Sequence, residues 1–525
     1  MQPADSGVPY TCAMLTDFYE VTICLAQWLK GRADKIVTFD LFYRTQPFKG
    51  SFAIFGGLEE AIDFIKSFRF TEDQLKYIQN NLPGVNPAFI DWLRKLDPNM
   101  LVIHAPKEGT VVFPREPLLR ITGPMGLCQL IETPLLNRIN FATLMTTNAA
   151  RIRLLAKDRK LMEFGLRRAQ GPDGAMSATR YSYLGGFDST SNVLAGYKYG
   201  IPIAGTVAHS FISSYYDVND PISHLMKHAV TGEDVDLLVH AEKCINENGW
   251  HTNQTELIAF IAQAQAFPTN FLALVDTYDT MTSGVPNFLA VSYALTRAGY
   301  NGKGIRLDSG DLAELSKQTR KMFKEFAEKY NIPEAAHYII TASNDINEKA
   351  LLELERVGHE IDVYGIGTHL VTCQMQPALG GVYKLVEIDG HPRVKLSNDL
   401  IKVTLPGKKN LFRLYDIEGK AICDLLTLGD DEVIEPGKYT FFECWPNAQP
   451  FECTFSKAER LFHPAFEHGI VSVDDLNKAR ERVREQIHGG FRPDVIKIID
   501  PAQYKVCLSP SLHQKLLQLI EEAKE

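Results

Sequence analysis

The chain has 525 residues, nine cysteines and a formal net charge of −9, a length that allows two or three domains with a sizeable core. The negative balance argues against a protein that grips nucleic acid through a global basic field, although a few arginines and backbone amides can still hold a small anion. No apolar run is long enough to cross a bilayer, the opening Met-Gln-Pro-Ala-Asp-Ser-Gly lacks a secretory signal, and scattered cysteines without metal spacing suit a reducing cytosol, so a cytoplasmic protein is expected.

Asp17-Phe-Tyr-Glu20 has the spacing of a capping box and predicts a helix start, with Phe18 and Tyr19 read as core. From Lys35 to Pro124 short β-rich runs, such as Ile36–Phe42, Ser51–Phe55 and Leu101–Ile103, surround helical stretches between Leu58 and Leu96. That texture predicts an α+β domain. A long helix from about Gln129 to Asp158 leads into a different pattern.

From Lys160 to about Thr372 short apolar strands alternate with amphipathic helices. The strands are expected at Leu161–Phe164, Pro202–Gly205, Phe271–Val275, Gly304–Leu307, Tyr338–Thr341 and Ile361–Tyr364. Asp311-Leu-Ala-Glu314 and Asp345-Ile-Asn-Glu348 are expected to open two of the helices, and Gly358 to close the second. Such alternation implies parallel strands, and six of them suggest an incomplete α/β barrel. After Gly380 a hairpin around Asp389-Gly390 and further short strands are predicted, then helices at Val473–Ile487 and Leu512–Lys524. The expected division is 1–135, the N-terminal part of an α+β domain; 136–380, the barrel carrying the site; and 381–525, a segment returning to the N-terminal domain.

Chemistry-bearing residues stand just past the candidate strands: Arg167, Thr206, His209, Asp276, Asp279, Arg306, Asp308, Ser309, Ser343, Asn344, Gly365, Gly367 and Thr368. In a barrel the loops at the C-terminal strand ends build the active site, so these dispersed residues would converge. Gly365-Ile-Gly367-Thr368 offers backbone N–H groups and a hydroxyl for a phosphate, with Ser343-Asn344 adding donors; glycine pairs also serve ordinary turns. Asp276 and Asp308 can hold sugar hydroxyls or a hydrated Mg²⁺, or simply cap helices. Arg167 and Arg306 can clamp a carboxylate or phosphate, or pair with Glu163 or Asp311. His209 can act as base, donor or nucleophile. His104, His240, His251 and His369 lie apart without metal-ligand spacing, and no nucleophile elbow, P-loop or dinucleotide-binding glycine motif occurs.

Leu15-Thr-Asp-Phe-Tyr19, Phe164-Gly-Leu-Arg-Arg168, Gly205-Thr-Val-Ala-His-Ser210, Ile305-Arg-Leu-Asp-Ser-Gly-Asp311 and Gly365-Ile-Gly-Thr368 come in the order found in nicotinate phosphoribosyltransferases. The chain resembles the animal form of that family over nearly its whole length. The resemblance implies an irregular, incomplete α/β barrel plus an α/β domain built from both chain ends, in a homodimer with shared active sites. It implies joining of nicotinate to 5-phosphoribosyl 1-diphosphate with ATP hydrolysed alongside, in NAD synthesis, and Mg²⁺ or Mn²⁺ as metal.

By similarity Tyr19, Thr206 and Arg306 would bind nicotinate, with Phe164 and Arg167 near the ring. Thr368 would take the phosphoribosyl phosphate, with Ser343, Asn344, Gly365 and Gly367 around it. His209 matches the family's transiently phosphorylated histidine; Asp276 and Asp308 would lie near the ribose, with Asp308 the candidate metal ligand. Competing expectations are a nicotinamide or quinolinate phosphoribosyltransferase, or a non-catalytic scaffold.

Overall fold

In the computed structural model, which describes residues 12–218, 222–397, 399, 402–429, 433–445 and 448–523, strands from both ends of the sequence hydrogen-bond to one another. The reading of the first seven residues lies outside the described ones. The chain divides into two compact units, Met1–Leu154 with Leu184–Gly186 and Met375–Glu525, and Leu155–Tyr183 with Phe187–Gln374.

In the first unit a seven-stranded antiparallel sheet sets Ile36–Phe42 between Leu119–Pro124 and Val382–Ile388. A six-stranded sheet, drawn wholly from residues beyond 408, is centred on Lys505–Leu508 and Ala421–Leu428. Its core alternates along the strands: Phe412 and Leu414, Cys423 and Leu425, Cys453 and Phe455 point to one buried face. Lys409 carries a buried charge from this sheet to the other, its Nζ lying 2.8 Å from Asp40 Oδ2.

Several expectations in this unit need correction. The capping box at Asp17 does not form. Glu20 is buried and accepts from the Thr133 N–H at 2.8 Å, while Asp17 accepts from the Thr133 hydroxyl at 2.8 Å, so both carboxylates are drawn to the first turn of a helix distant in sequence. Phe18 and Tyr19 are not core but 58% and 45% exposed on the helix Phe18–Leu29. Partial burial, then the charge of Glu132, pushes the Tyr19 hydroxyl up to about 12, so it stays protonated. The long helix is Glu132–Ala156, preceded by a separate short one at Met125–Leu130.

The second unit holds a parallel sheet of six short strands: β1 (Lys160–Glu163), β2 (Ser189–Thr190), β3 (Leu272–Leu274), β4 (Gly304–Leu307), β5 (Ile339–Ala342) and β6 (Val363–Ile366). Their order is β3-β4-β5-β6-β1-β2. The architecture is α/β, each strand passing into a helix or a turn. The expected strand Pro202–Gly205 reduces to one parallel bridge between Ile203 and Thr190. Proline lacks an N–H, so that segment pairs only through the Pro202 carbonyl and the Ala204 N–H. Among the described residues the hydrogen-bonded ladder therefore ends at β3 on one side and at this bridge on the other.

Gly304 sits where a side chain has no room, since a Cβ would lie 2.1 Å from the Ile339 carbonyl oxygen. Asp311 caps the helix Leu312–Tyr330 as expected, its carboxylate accepting from Glu314 N–H at 3.0 Å. The helix Glu348–Val357 is capped by Asn347 rather than Asp345. Asn344 and Asp345 instead form a left-handed pair with φ of 90° and 48°, a conformation that costs non-glycine residues energy and clusters at functional loops.

Candidate active site

The C-terminal ends of the second unit's strands frame a cleft of two adjoining lobes, about 500 and 490 Å³. Phe164, Arg167, Arg306 and Asp308 line both. Gly205, Thr206, Val207, Ala208 and His209 complete the first lobe. Ser343, Asn344, Gly365, Gly367 and Thr368 complete the second. Eleven of the thirteen residues named from the sequence as substrate-binding or catalytic thus meet here; the others are Asp276, which lies behind His209, and Tyr19, which belongs to the first unit.

Arg306 is the junction. Its Nε donates to Ser343 Oγ at 2.8 Å, Nη2 to Asp308 Oδ1 at 2.8 Å and Nη1 to Thr206 Oγ1 at 3.3 Å. Its guanidinium carbon lies 5.5 Å from the Phe164 ring centroid. A planar fork fixed on three sides and backed by an aromatic face keeps its remaining N–H groups for an incoming anion. The alternative ion pair with Asp311 does not occur, since that carboxylate caps its helix. Arg167 is exposed and makes no ion pair among the described residues. Its suggested partner Glu163 is buried, accepting from the Gly165 N–H and from the Thr179 and Thr190 hydroxyls at 2.8 and 2.6 Å. That carboxylate shapes the turn following β1.

Burial pushes the Asp308 carboxyl up. The hydrogen bond from Ser343, the Arg306 guanidinium and His209 together outweigh it and hold the group below the usual carboxylate value. Its pairing is therefore present at neutral pH and is lost only as pH falls through that depressed value. Ser343, read from the sequence as a phosphate donor, lines the second lobe, is 3% exposed and is engaged with both Arg306 and Asp308. Ser343→Ala should raise the Asp308 pKa, which a carboxyl-carbon NMR titration would follow; an unchanged value would show that the hydroxyl is dispensable.

Asp276 accepts from Ser309 Oγ at 2.5 Å, and its buried Oδ1 has no hydrogen-bond partner. Asp279, from the same strand end, is a helix cap: its Oδ1 accepts from the Met281 and Thr282 N–H groups. His209 opens the short helix His209–Ser213 and is half-exposed. Its Nδ1 lies 3.1 Å from Thr277 Oγ1, a residue that no sequence motif points to. Gly365 lies inside β6, and a Cβ there would lie 2.5 Å from the Phe164 ring carbons. Its lack of a side chain therefore seats the aromatic ring. Gly367 and Thr368 lead into the short helix Thr368–Val371.

No group of three or more His, Cys, Asp or Glu side chains poised for a metal occurs among the described residues. A cation would share Asp276 or Asp308 with oxygen atoms of a ligand, as hydrated Mg²⁺ does. No described helix is long and apolar enough to cross a membrane.

Models of the nicotinate phosphoribosyltransferase N-terminal domain, family and C-terminal domain match residues 14–140, 159–419 and 408–516. The nicotinate phosphoribosyltransferase of Dictyostelium discoideum is 47% identical over 97% of this chain and 88% of its own. The human one is 42% identical over 95% of each. The crystal structure of human nicotinic acid phosphoribosyltransferase covers 96% of this chain and 100% of its own at 38% identity and a TM-score of 0.87. That of a Pyrococcus furiosus nicotinate-nucleotide pyrophosphorylase, 21% identical over 93% of this chain and 98% of its own with a TM-score of 0.61, shares the fold.

Proposed function

Since the chain belongs to the nicotinate phosphoribosyltransferase family and so serves NAD synthesis, we propose that the two-lobed cleft is where nicotinate meets 5-phosphoribosyl 1-diphosphate, with ATP hydrolysed alongside. The observation that carries this reading is Arg306, pre-oriented by Ser343, Asp308 and Thr206 where the lobes meet. Nicotinate differs from nicotinamide by a carboxylate, which a fixed guanidinium fork rewards.

The pyridine lies against Phe164, its carboxylate on Arg306 and Thr206, with Arg167 alongside. The phosphoribosyl phosphate lies in the second lobe on the Gly367 and Thr368 amides, the Thr368 hydroxyl and Asn344. The ring nitrogen is itself the nucleophile, so the chain's task is to hold it in line with the departing diphosphate. As the bond to the leaving group lengthens, positive charge grows on the ribosyl carbon, and the carboxylates of Asp308 and Asp276 stabilise it. Asp276 Oδ1, which has no hydrogen-bond partner, and Asp308 Oδ2, 3.7 Å from His209 Nε2, would suit Mg²⁺, or Mn²⁺, held chiefly by substrate phosphates. Such an ion neutralises charge on the diphosphate when bound.

His209 is the phosphoryl acceptor from ATP in this reading. A phosphoryl group there adds roughly 1.5–2 negative charges at neutral pH, enough to rearrange a site built on Arg306 and two carboxylates. His209→Ala should abolish stimulation by ATP, so that turnover with ATP falls to the ATP-independent rate; undiminished stimulation would exclude the role. The exposed Phe18 and Tyr19 suit a homodimer in which the partner subunit's Tyr19 closes over the pyridine. The cytosol is the compartment we assign, in keeping with nine free thiols.

Side-by-side turnover of nicotinate, nicotinamide and quinolinate tests the whole reading. Preference for nicotinate is expected. Preference for either other pyridine would overturn the role of Arg306, and neither turnover nor thermal stabilisation by any substrate would leave only a scaffold.

A further inference from the structure

β3 runs through Val275 into Asp276, and the chain then makes a π-helical turn, Thr280–Gly284, that opens the buried helix Val285–Arg297. Gly284 backs onto the peptide that carries Asp276. A Cβ there would lie 1.9 Å from the Val275 carbonyl oxygen and 2.7 Å from its carbon. The backbone at Gly284 is ordinary right-handed helix, with φ −60° and ψ −55°. Space, not conformation, is what requires glycine at this close approach.

The same turn is held by a buried polar cluster. The Ser283 hydroxyl accepts from the Asn253 N–H at 2.9 Å and donates to Glu256 Oε2 at 2.5 Å. Asn287 Nδ2 donates to that Glu256 oxygen at 2.9 Å and to the Asn253 carbonyl at 3.0 Å. Asn253 caps the helix Gln254–Ala266, and Glu256 lies in its first turn. Within the turn itself the Asp279 carbonyl accepts from the Ser283 and Gly284 N–H groups. Glu256 and Asn287 are fully buried and Ser283 nearly so. A donor left without its acceptor in such surroundings is costly, so the cluster fixes where the turn sits.

These contacts reach the cleft through one peptide. The Asp276 side chain is 3% exposed and its Oδ2 accepts from Ser309 Oγ at 2.5 Å, so the direction of the carboxylate follows the Val275–Asp276 peptide. We infer that Gly284, Ser283 and Glu256 form a brace of positioning residues that seats this peptide and thereby aims the Asp276 carboxylate at the ribosyl carbon. The inference rests on the reading above that gives Asp276 a share in stabilising the charge there. None of the three residues lines either lobe of the cleft. Misplacing a reacting group by an ångström costs roughly 10²-fold in rate, while substrate binding, which other strand ends supply, is kept.

The test compares the full-length wild type with G284A, E256L and E256Q in steady-state kinetics with nicotinate and 5-phosphoribosyl 1-diphosphate. In G284A and E256L kcat should fall about 10–100-fold with both KM values little changed. E256Q keeps a carbonyl oxygen to accept from Ser283 and Asn287, and should restore the wild-type rate. S283A, which removes one hydroxyl and adds no bulk, carries the test if G284A fails to fold. Each variant is also made in a D276N background. Residues that act through one group are not additive, so G284A and E256L should cost nothing further there. In a T368A background, where a different strand end is altered, the losses should multiply.

Losses confined to KM or to thermal stability, or equal in the D276N and parent backgrounds, overturn the brace, because a merely structural role would give them. A crystal structure of S283A without ligands should show the Asp276 carboxylate drawn away from Ser309 Oγ, and it needs no turnover. An unmoved carboxylate overturns the brace whatever the reaction. A wild type that does not turn over nicotinate, with the carboxylate displaced in S283A, overturns the reaction reading and not the brace, so the two failures are distinguishable.

Discussion

Replacing Arg306 with alanine should lower kcat/KM for nicotinate by on the order of 10²–10³-fold, the effect of truncating one partner of a hydrogen-bonded charge pair. Two losses combine. The nicotinate carboxylate loses its fork, and Asp308, which Arg306 meets at 2.8 Å, loses the cation that helps hold it ionised. Turnover of nicotinamide, which has no carboxylate to lose, should change far less, so the preference between the two pyridines should collapse. Arg306→Lys keeps the charge but cannot bond Ser343, Asp308 and Thr206 at once, and should fall between. Steady-state kinetics with both pyridines read the outcome; an unaltered preference in the alanine variant would remove Arg306 from pyridine recognition.

The largest effect on stability is expected far from the cleft, within the first unit. Arg413 and Asp424 are buried, with Nε 2.8 Å from Oδ1 and Nη2 2.6 Å from Oδ2. Tyr504 adds a hydrogen bond to Asp424 at 2.8 Å, Arg413 donates to the Val111 carbonyl at 2.7 Å, and its guanidinium packs 4.8 Å from the Phe491 ring centroid. Asp424→Ala leaves a buried guanidinium uncompensated and should cost about 3–5 kcal/mol, seen as a lower urea midpoint. A variant as stable as the parent would mean that water or a neighbouring carboxylate replaces the lost charge.

Glu116 is such a neighbour. Burial, and next the charge of Asp424, pushes its carboxyl well above the ordinary value. Folding thus favours its neutral form, so its contribution to stability is greatest below the ordinary carboxylate range. That contribution declines as pH rises toward the folded value. Glu116→Gln should remove that decline in a stability–pH profile.

The strand ends of the second unit were legible because buried parallel strands are short apolar runs bounded by polar residues, as at Gly304–Leu307. Local caps were legible where nothing competes, as at Asp311. Asp17-Phe-Tyr-Glu20 misleads because its two carboxylates are claimed by Thr133, more than a hundred residues away. Distance in sequence also hides the network about Arg306. Ser343 looks like one more donor at a strand end, yet its hydroxyl is committed 37 residues back in the chain. Thr277 carries no signal at all, since a threonine beside a strand-end aspartate is ordinary. Only its register with His209, 68 residues earlier, gives it meaning.

Pairing of Ile36–Phe42 with Val382–Ile388 also sets an order of events during synthesis. A ribosome adding about 5–20 residues per second releases the first strand tens of seconds before its partner exists. Over that interval Ile36–Phe42 has only Leu119–Pro124 beside it, and its other edge stays open to strands of any chain nearby. The second unit spans residues 155–374 apart from a three-residue excursion, and so emerges almost as one piece before the first can be completed. A nascent chain stalled near residue 375 should therefore need chaperone cover for the N-terminal strands rather than for the six-stranded parallel sheet.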